Sequence, residues 1–547
     1  MSDSSLNKVV VIGLDGVDWR LLQPWIDAGE LPTLARLVQE GAHGRLKSTV
    51  RPESSVAWTT FSTGVNPGKH GIFGFVRHQP SSYEFHLADS RHIGARRFWD
   101  YLGAAGLRVG LVNVPFTYPP QPVNGFLVGG MLTPGSHVTF TYPAALQQRL
   151  MQHLPAPYLF DAGDSAKDKA KLWQSVSAYT RQQLETAVLL LREEVWNFFA
   201  IVFTGPDRLQ HFFWPSDVKK SEGPTNGELL LTYFKDLDQS VAKILGELPT
   251  DALVLFLSDH GFNAVGRRFY INSWLQSKGY LSLRSRALST DYLSRLLTRL
   301  KSISLVRRLK QTFLPTEWGV GQLKTAVFAN PIDWTKTRVY YAPDGGLRIN
   351  LQGREPNGIV PFEAYESLCA TLSSELSAVK DMETGCSPIA GVYQKKNLYH
   401  GPFTSSAPDL IVEPQRERDP LEQNYLIDSK LGSDLPHFTS STPYNGNHAP
   451  HGILLAWGNG VAAHTTLPES DLQDIAPTIL AAMGVPIPKT MDGRVLFELF
   501  TDQKCPDPTF LSETEPSSLG EAMYSLDAVD EPETAVIERL RNLGYLD

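Results

Sequence analysis

Residues 8–19 read KVVVIGLDGVDW. The apolar run Val9–Ile12 passes straight into Gly-Leu-Asp-Gly. A continuous β-branched run of this length predicts a strand buried on both faces, as in a parallel sheet, delivering Asp15 to its carboxyl end. Outward from it, residues 31–40 form a predicted helix, with Pro32 in the first turn and Leu34, Leu37 and Val38 on one face. Similar alternations follow: a helix over 98–105 before a strand over 108–112, and a helix over 167–194 before a strand over 198–203. A helix over 229–248 precedes a strand over 253–257, and 453–456 is a further short apolar strand. Helix and strand taking turns in this way predict an α/β fold, a mainly parallel central sheet with helices on both faces. No short-period repeat interrupts the pattern.

The chain has 547 residues, 42% hydrophobic and 20% charged, which is the composition of a folded protein. Three cysteines exclude a disulfide framework, and no Cys-x-x-Cys pair offers a zinc knuckle. A formal charge of −8 argues against a binder of nucleic-acid duplexes. Residues 1–7 are polar and no run of about 18 apolar residues occurs, so neither a signal peptide nor a membrane span is expected, and a cytoplasmic setting follows.

The charge is unevenly placed. Residues 502–547 hold 11 acidic and three basic residues, which accounts for the whole formal charge. This acidic linker ends in AVIERLRNLGYLD, where Val536, Leu540 and Leu543 fall at helical spacing, the pattern of a helix that docks on its own chain or on a partner. Residues 284–324 carry nine basic residues against two acidic ones, with Leu293, Leu296, Leu297 and Leu300 at helical spacing. That insertion reads as a helix with a solvated basic face, or as a lid over an anionic substrate or a peripheral membrane patch. The remainder, within 1–501, reads as one large catalytic domain.

Acid and histidine residues gather at strand ends. Asp15 follows the first strand; Asp207 and His211, in PDRLQH, follow 198–203; Asp259 and His260, in SDHG, follow 253–257. His448, in GNHAPHG, precedes 453–456. In an open α/β sheet the ligand site lies beyond the carboxyl ends of the strands, where these groups converge. Each has an ordinary reading alone, such as a helix cap or a solvated loop histidine. Their coincidence predicts a metal site. Mixed oxygen and nitrogen ligands suit Zn²⁺ first and Mn²⁺ second. Six ligands exceed the need of one catalytic zinc, so two metal ions about 4 Å apart, the arrangement of phosphoryl-transfer sites, are expected. Ser54 or Ser55, before a short helix over 57–62, supplies a candidate nucleophile or merely a helix cap.

Taken in order, Asp15, Ser54 with Thr63-Gly64-x-x-Pro67-x-x-His70-Gly71, Asp207-x-x-x-His211, Asp259-His260-Gly261 and His448 resemble the alkaline phosphatase superfamily. The resemblance is greatest to its type I phosphodiesterase/nucleotide pyrophosphatase branch, with its bacterial and archaeal predicted phosphohydrolases and phosphomutases. RINLQGREPNGIV at 348–360 and DIAPTILAAMGVPIPKTMDGR at 474–494 extend it. It implies a three-layer alkaline-phosphatase-like sandwich and two divalent metal ions. Asp207, His211 and His448 would hold one, and Asp15, Asp259 and His260 the other, with Ser54 completing it. It also implies that Ser54, with Ser55 second, attacks phosphorus to form a phosphoryl-serine. Better-known relatives often have Thr-Phe-Pro at this point where this chain has Ser54-Ser55-Val56, and Val56 and Trp58 do not fit the sulfatase pattern. The implied function is a phosphodiesterase-type hydrolase of small anionic phosphoesters. A phosphomonoesterase or phosphomutase, with Lys69, Arg267, Arg268 or the basic insertion gripping phosphate, is the first alternative. A non-catalytic phosphoester-binding protein is the second. The oligomeric state is left open.

Overall fold

The opening strand runs Val9–Leu14 (β1) in the computed structural model, and all of its residues are buried. The structure describes residues 8–154, 157–161, 168–215, 224–284, 331–415, 424–432, 434–440, 442, 444–501, 508–511 and 536. The basic insertion beyond Arg284 and nearly all of the acidic tail lie outside these residues.

After β1 the elements around the central sheet are α1 (Trp19–Asp27), α2 (Pro32–Glu40), β2 (Ala42–Lys47), α3 (Ser54–Thr63) and α4 (Phe98–Ala104). Next come β3 (Val109–Val112), β4 (Gly125–Val128), β5 (Thr141–Tyr142), α5 (Lys169–Glu193), β6 (Phe198–Phe203) and α6 (Gly205–Phe213). The set closes with α7 (Asn226–Gly246), β7 (Leu253–Leu257), β8 (His451–Gly458), β9 (Thr465–Thr466), β10 (Ser470–Asp471) and α8 (Ile475–Ala482). The strand order is β9-β2-β8-β7-β1-β6-β3-β4-β5, with β10 also paired to β2. The centre, β7-β1-β6-β3-β4, is parallel.

Local chemistry explains the boundaries. Helix α2 starts at Pro32, which sits at its first turn where an N–H is not needed. Helix α7 starts three residues before its apolar pattern does, because Thr225 and Glu228 form a reciprocal capping box. The apolar stretch 453–456 is the middle of β8, which runs antiparallel to both β7 and β2.

Alternation along β1 builds the three layers. Val10, Ile12 and Leu14 face a core with Leu21 and Leu22 of α1, Leu34 and Leu37 of α2, and residues of α5 and α7. Val9 and Val11 face the opposite core, with Ala57, Trp58 and Phe61 of α3, Phe98 and Leu102 of α4, and α8. Successive strand residues point to opposite faces, so a strand apolar throughout needs cover on both.

A second lobe intervenes between His260 and His448. Its antiparallel sheet has the order Val339–Tyr341, Gly346–Ile349, Leu410–Pro414, Ile389–Gln394. Tyr340, Leu347 and Leu410 pack with Leu368 and Leu372 of the helix Tyr365–Ser377 in a separate core. Val536, from the predicted terminal helix, is buried in that core. Among the described residues no helix is long and apolar enough to cross a membrane.

Candidate metal centre

Strand adjacency brings the acids together. β1 lies between β6 and β7, with Leu14 opposite Phe203 and Gly13 opposite Leu257, so the three carboxyl ends emerge side by side. Asp15 is still pinned to β6 by its N–H, which donates to Phe203 O at 3.0 Å. The chain then turns at Gly16 (φ +73°), where a Cβ would meet Phe262 at 3.1 Å and Asp207 at 3.3 Å, so only glycine fits without strain. Helix α6 begins two residues after β6 and presents Asp207 and His211 one turn apart. His448 arrives on Gly446–Ala449, paired antiparallel to Gly261–Ala264 with Phe262 opposite His448. All six predicted ligands and Ser54 are buried.

The ligand atoms form two groups, each with all its atoms within 4.8 Å of one another: Asp207, His211 and His448, and Asp15, Asp207 and His260. In the first, Asp207 Oδ1 lies 3.6 Å from His211 Nε2 and 3.2 Å from His448 Nε2. In the second, Asp15 Oδ1 lies 3.6 Å from His260 Nε2. Asp207 therefore belongs to both groups, whereas the sequence assigned it to one. Asp259 stands beside the second group, its Oδ2 3.4 Å from His260 Nε2 and its Oδ1 accepting the Gly16 N–H at 3.3 Å.

Each histidine is oriented by a backbone carbonyl. Nδ1 of His211 meets Gly446 O at 3.1 Å, that of His448 meets Pro52 O at 2.8 Å, and that of His260 meets Gly261 O at 3.0 Å. A carbonyl can only accept, so each Nδ1 carries a proton, and it is Nε2 of each ring that faces inward, with a lone pair free whenever the ring is neutral. His211 and His448 Nε2 approach to 3.3 Å. Two lone pairs facing at that distance repel, and a cation between them removes the conflict.

The carboxylates tell the same story. Burial and the neighbouring Asp259 and Asp207 push Asp15 well above the ordinary carboxyl range. Burial and Asp207 likewise raise Asp259. Asp207 is opposed by burial too, but His211, His448 and Arg208 outweigh it and hold it well below the ordinary range. Burial keeps His211 neutral, down to about 3, and does the same to His260, with His448 adding to the effect. Asp259 Oδ2 is buried without a hydrogen-bond partner among the described residues. Neutral imidazoles, crowded carboxylates and an orphaned oxygen are a donor set suited to divalent cations.

Ser54 is the first residue of α3, where the helix end carries positive partial charge. Its Oγ lies 3.4 Å from Asp15 Oδ1 and 3.3 Å from His260 Nε2. Ser55 Oγ is buried and has no hydrogen-bond partner among the described residues. His70, part of the motif, is distant in role: it accepts the Ile72 N–H at Nδ1 and meets Thr60 Oγ1 at 3.0 Å, bracing α3.

Sequence reasoning missed several supporting groups. Trp58 Nε1–H donates to Asp15 Oδ2 at 3.2 Å. Arg208 Nη1 donates to Asp207 Oδ2 at 2.9 Å while its other nitrogens hold Asp161, also at 2.9 Å. The Phe262 ring packs on His211, His260 and His448. Arg208 adjoins a ligand in sequence, which was a usable signal; Trp58 and Phe262 gave none. The candidate phosphate grips are committed elsewhere: Lys69 pairs with Asp492, Arg267 with Asp381 and Glu383, and Arg268 with Asp428.

A family model, type I phosphodiesterase / nucleotide pyrophosphatase, matches residues 9–426 of the chain. No curated protein matches it in sequence. Among solved structures, phosphonoacetate hydrolase from Sinorhizobium meliloti 1021 in complex with phosphonoformate is similar, with a TM-score of 0.51 and 14% identity over 88% of this chain and 96% of that one. Human ectonucleotide pyrophosphatase / phosphodiesterase 5 aligns at a TM-score of 0.49 and 14% identity, over 90% of this chain and 97% of that one. At these identities the likeness is one of fold.

Proposed function

Because the chain belongs to the type I phosphodiesterase / nucleotide pyrophosphatase family and is a phosphoric ester hydrolase, we propose that it cleaves phosphodiesters with Ser54 as nucleophile at a two-metal centre. Asp207, His211 and His448 would hold one ion, and Asp15, Asp207, Asp259 and His260 the other, with Zn²⁺ first and Mn²⁺ second by donor type. Bound there, divalent ions supply Lewis-acid charge that lowers the pKa of an attacking oxygen and stabilises a leaving one. The observation that carries the reading is the inward convergence of three Nε2 lone pairs, each enforced by a carbonyl on Nδ1.

The chain's own groups account for the rest. The Ser54 hydroxyl donates towards Asp15 Oδ1, a carboxylate oxygen with more than one lone pair, so its proton has an acceptor and its own lone pairs remain for phosphorus. Attack forms the Ser54 Oγ–phosphorus bond as one ester oxygen departs with its electron pair, giving a phosphoryl-serine that keeps the second ester group. Water then attacks phosphorus, the Oγ–phosphorus bond breaks, and Ser54 Oγ takes back the electron pair and a proton from the water, releasing the phosphomonoester.

A mutase would need free cations above the site to hold a phosphorylated product. Among the described residues the candidate grips Lys69, Arg267 and Arg268 are engaged with carboxylates, which is what hydrolysis requires of them; the basic insertion, the other candidate, lies outside the described residues. The test is hydrolysis of bis(4-nitrophenyl) phosphate beside 4-nitrophenyl phosphate. Chelation should abolish diester turnover and Zn²⁺ or Mn²⁺ should restore it, with the diester the faster substrate. Full activity in excess chelator would overturn the metal assignment, and a faster monoester would overturn the diester preference.

A further inference from the structure

Helix α6 carries one more buried charge beside its two proposed ligands. Arg208 is fully buried, and its planar fork is engaged on two sides. Nε and Nη2 donate to the two oxygens of Asp161 at 2.9 Å each, while Nη1 donates to Asp207 Oδ2 at 2.9 Å. The Asp161 side chain is only 3% exposed, so three charges in a row are closed off from solvent.

One end of that row is the metal centre. Arg208 takes Oδ2 of Asp207, and Oδ1 is the oxygen that faces His448 Nε2 at 3.2 Å and His211 Nε2 at 3.6 Å. Rotating the Asp207 carboxylate breaks its bond to Arg208, and a guanidinium held bidentate on its other edge cannot swing to follow. Charge adds to geometry. Arg208 with Asp207 alone would be a neutral pair, an acid already answered by a cation of the chain's own. Asp161 neutralises Arg208 from behind and leaves the triad one net negative charge for a further cation.

The other end is a strap without helix or strand, residues 157–161. Leu159 N–H donates to Gln182 Oε1 at 2.6 Å, and Tyr158 Oη lies 3.1 Å from Thr186 Oγ1, both partners on α5. The buried rings of Tyr158 and Phe160 pack on Phe140, with centroids 4.9 and 4.8 Å away. These contacts fix the backbone from which Asp161 reaches Arg208.

We propose that Asp161 is a positioning residue of the metal centre, setting through Arg208 both the rotation and the effective charge of Asp207, so that the 157–161 strap tunes cation affinity from outside the ligand set. The assignment rests on the metal-centre reading above and adds to it a control point that touches no ligand.

The test titrates Mn²⁺ into the chelator-stripped full chain by calorimetry and records the electron paramagnetic resonance spectrum of the bound ion. Asp161→Asn keeps the shape and removes the charge; it should weaken Mn²⁺ binding about tenfold or more, the usual cost of losing a group behind a metal ligand, and alter the spectrum. Arg208→Gln should weaken binding to a similar extent. Because Asp161 acts through Arg208, the double variant should bind no more weakly than the weaker single one. Losses that multiply in the double variant overturn the proposal. So does an Asp161→Asn protein that loses Tm in chelator yet keeps wild-type affinity and spectrum, the behaviour of a purely structural residue. Gln182→Leu covers the case in which Asp161→Asn does not fold: it frees the strap with Asp161, Arg208 and every ligand intact, and unchanged affinity and spectrum there overturn the proposal equally. A wild-type chain that takes up no Mn²⁺ overturns instead the metal-centre reading beneath it.

Discussion

The two ligand groups at the strand ends share Asp207 and are otherwise built on opposite electrostatic plans. Around His211 and His448, the two imidazole rings are locked by Gly446 O and Pro52 O, and Asp207 is held ionised by its neighbours. Around His260, Asp15 and Asp259 crowd each other and are pushed up towards the protonated form. The first group is ready for a cation; the second must release protons to take one. The difference teaches that a buried acid cluster is stable without its ions only when protonated, so cation affinity there is coupled to pH.

The shared ligand provides the hardest test. Asp207→Ala should strip both groups and cut kcat/KM on the order of 10⁵-fold, as losses do when a residue acts as part of a catalytic unit. His211→Ala should empty only its own group. Metal content after dialysis, measured beside turnover, distinguishes the two. Equal loss in both variants would break the claim that Asp207 bridges the groups.

Ser54→Ala ranks next. It leaves the carboxylate and histidine ligands in place, so metal content should largely persist while turnover falls on the order of 10³-fold, water replacing the serine inefficiently. Acid quenching with a ³²P-labelled diester should trap no phosphoryl-protein. Ser55→Ala should keep both turnover and the trapped species, since no hydrogen bond joins Ser55 to the cluster among the described residues.

A pH series on chelated protein sharpens the contrast further. For Asp15 and Asp259 the folded-state pKa is raised, Asp259 to about 8, so their contribution to stability is complete at low pH and is lost as pH climbs through the raised values. For His211 and His260 the folded pKa is lowered, so their contribution is lost as pH falls below the unfolded histidine range near 6.5. Above the histidine range, up to pH of about 8, the raised carboxylates Asp15 and Asp259 set the trend. The chelated protein should therefore lose a few degrees of Tm across that window, while the metal-loaded protein holds steady. A Tm that rises with pH in chelator would show that the second group is ionised without a cation.

How much of this was legible depended on the kind of residue. β1, β6 and β7 announced themselves because strands buried on both faces are continuous apolar runs, and an acid at the end of such a run stands out. Their adjacency was not legible, because strand order is a property of the fold and not of any segment. The sharing of Asp207 follows from that adjacency, and so it was missed as well. The carbonyls of Pro52, Gly261 and Gly446 could not be foreseen, since orienting a histidine through the backbone leaves no side-chain signature. The second lobe was hidden for another reason. Val339–Tyr341 and Gly346–Ile349 are three and four residues long, too short for alternation to register.

The smallest effect isolates one group from the other. Trp58 braces only the second group, through a single N–H to Asp15 Oδ2. Trp58→Phe keeps most of the ring packing against Phe61 and removes that donor. A buried carboxylate that loses a hydrogen bond is a weaker anion, and partners that hold a metal ligand in this way are typically worth about tenfold or more in affinity. Zinc titration of Trp58→Phe should therefore show about a tenfold weaker second binding phase with an unchanged first phase. The Trp58 ring also presses on Gly13 of β1, where an added Cβ would lie 2.5 Å from it, so a general loosening of the sheet is the competing outcome. Loosening would weaken both phases together, because β1 touches β6 and β7 alike. An unequal response means that the two groups, though joined at Asp207, are tuned by separate supports.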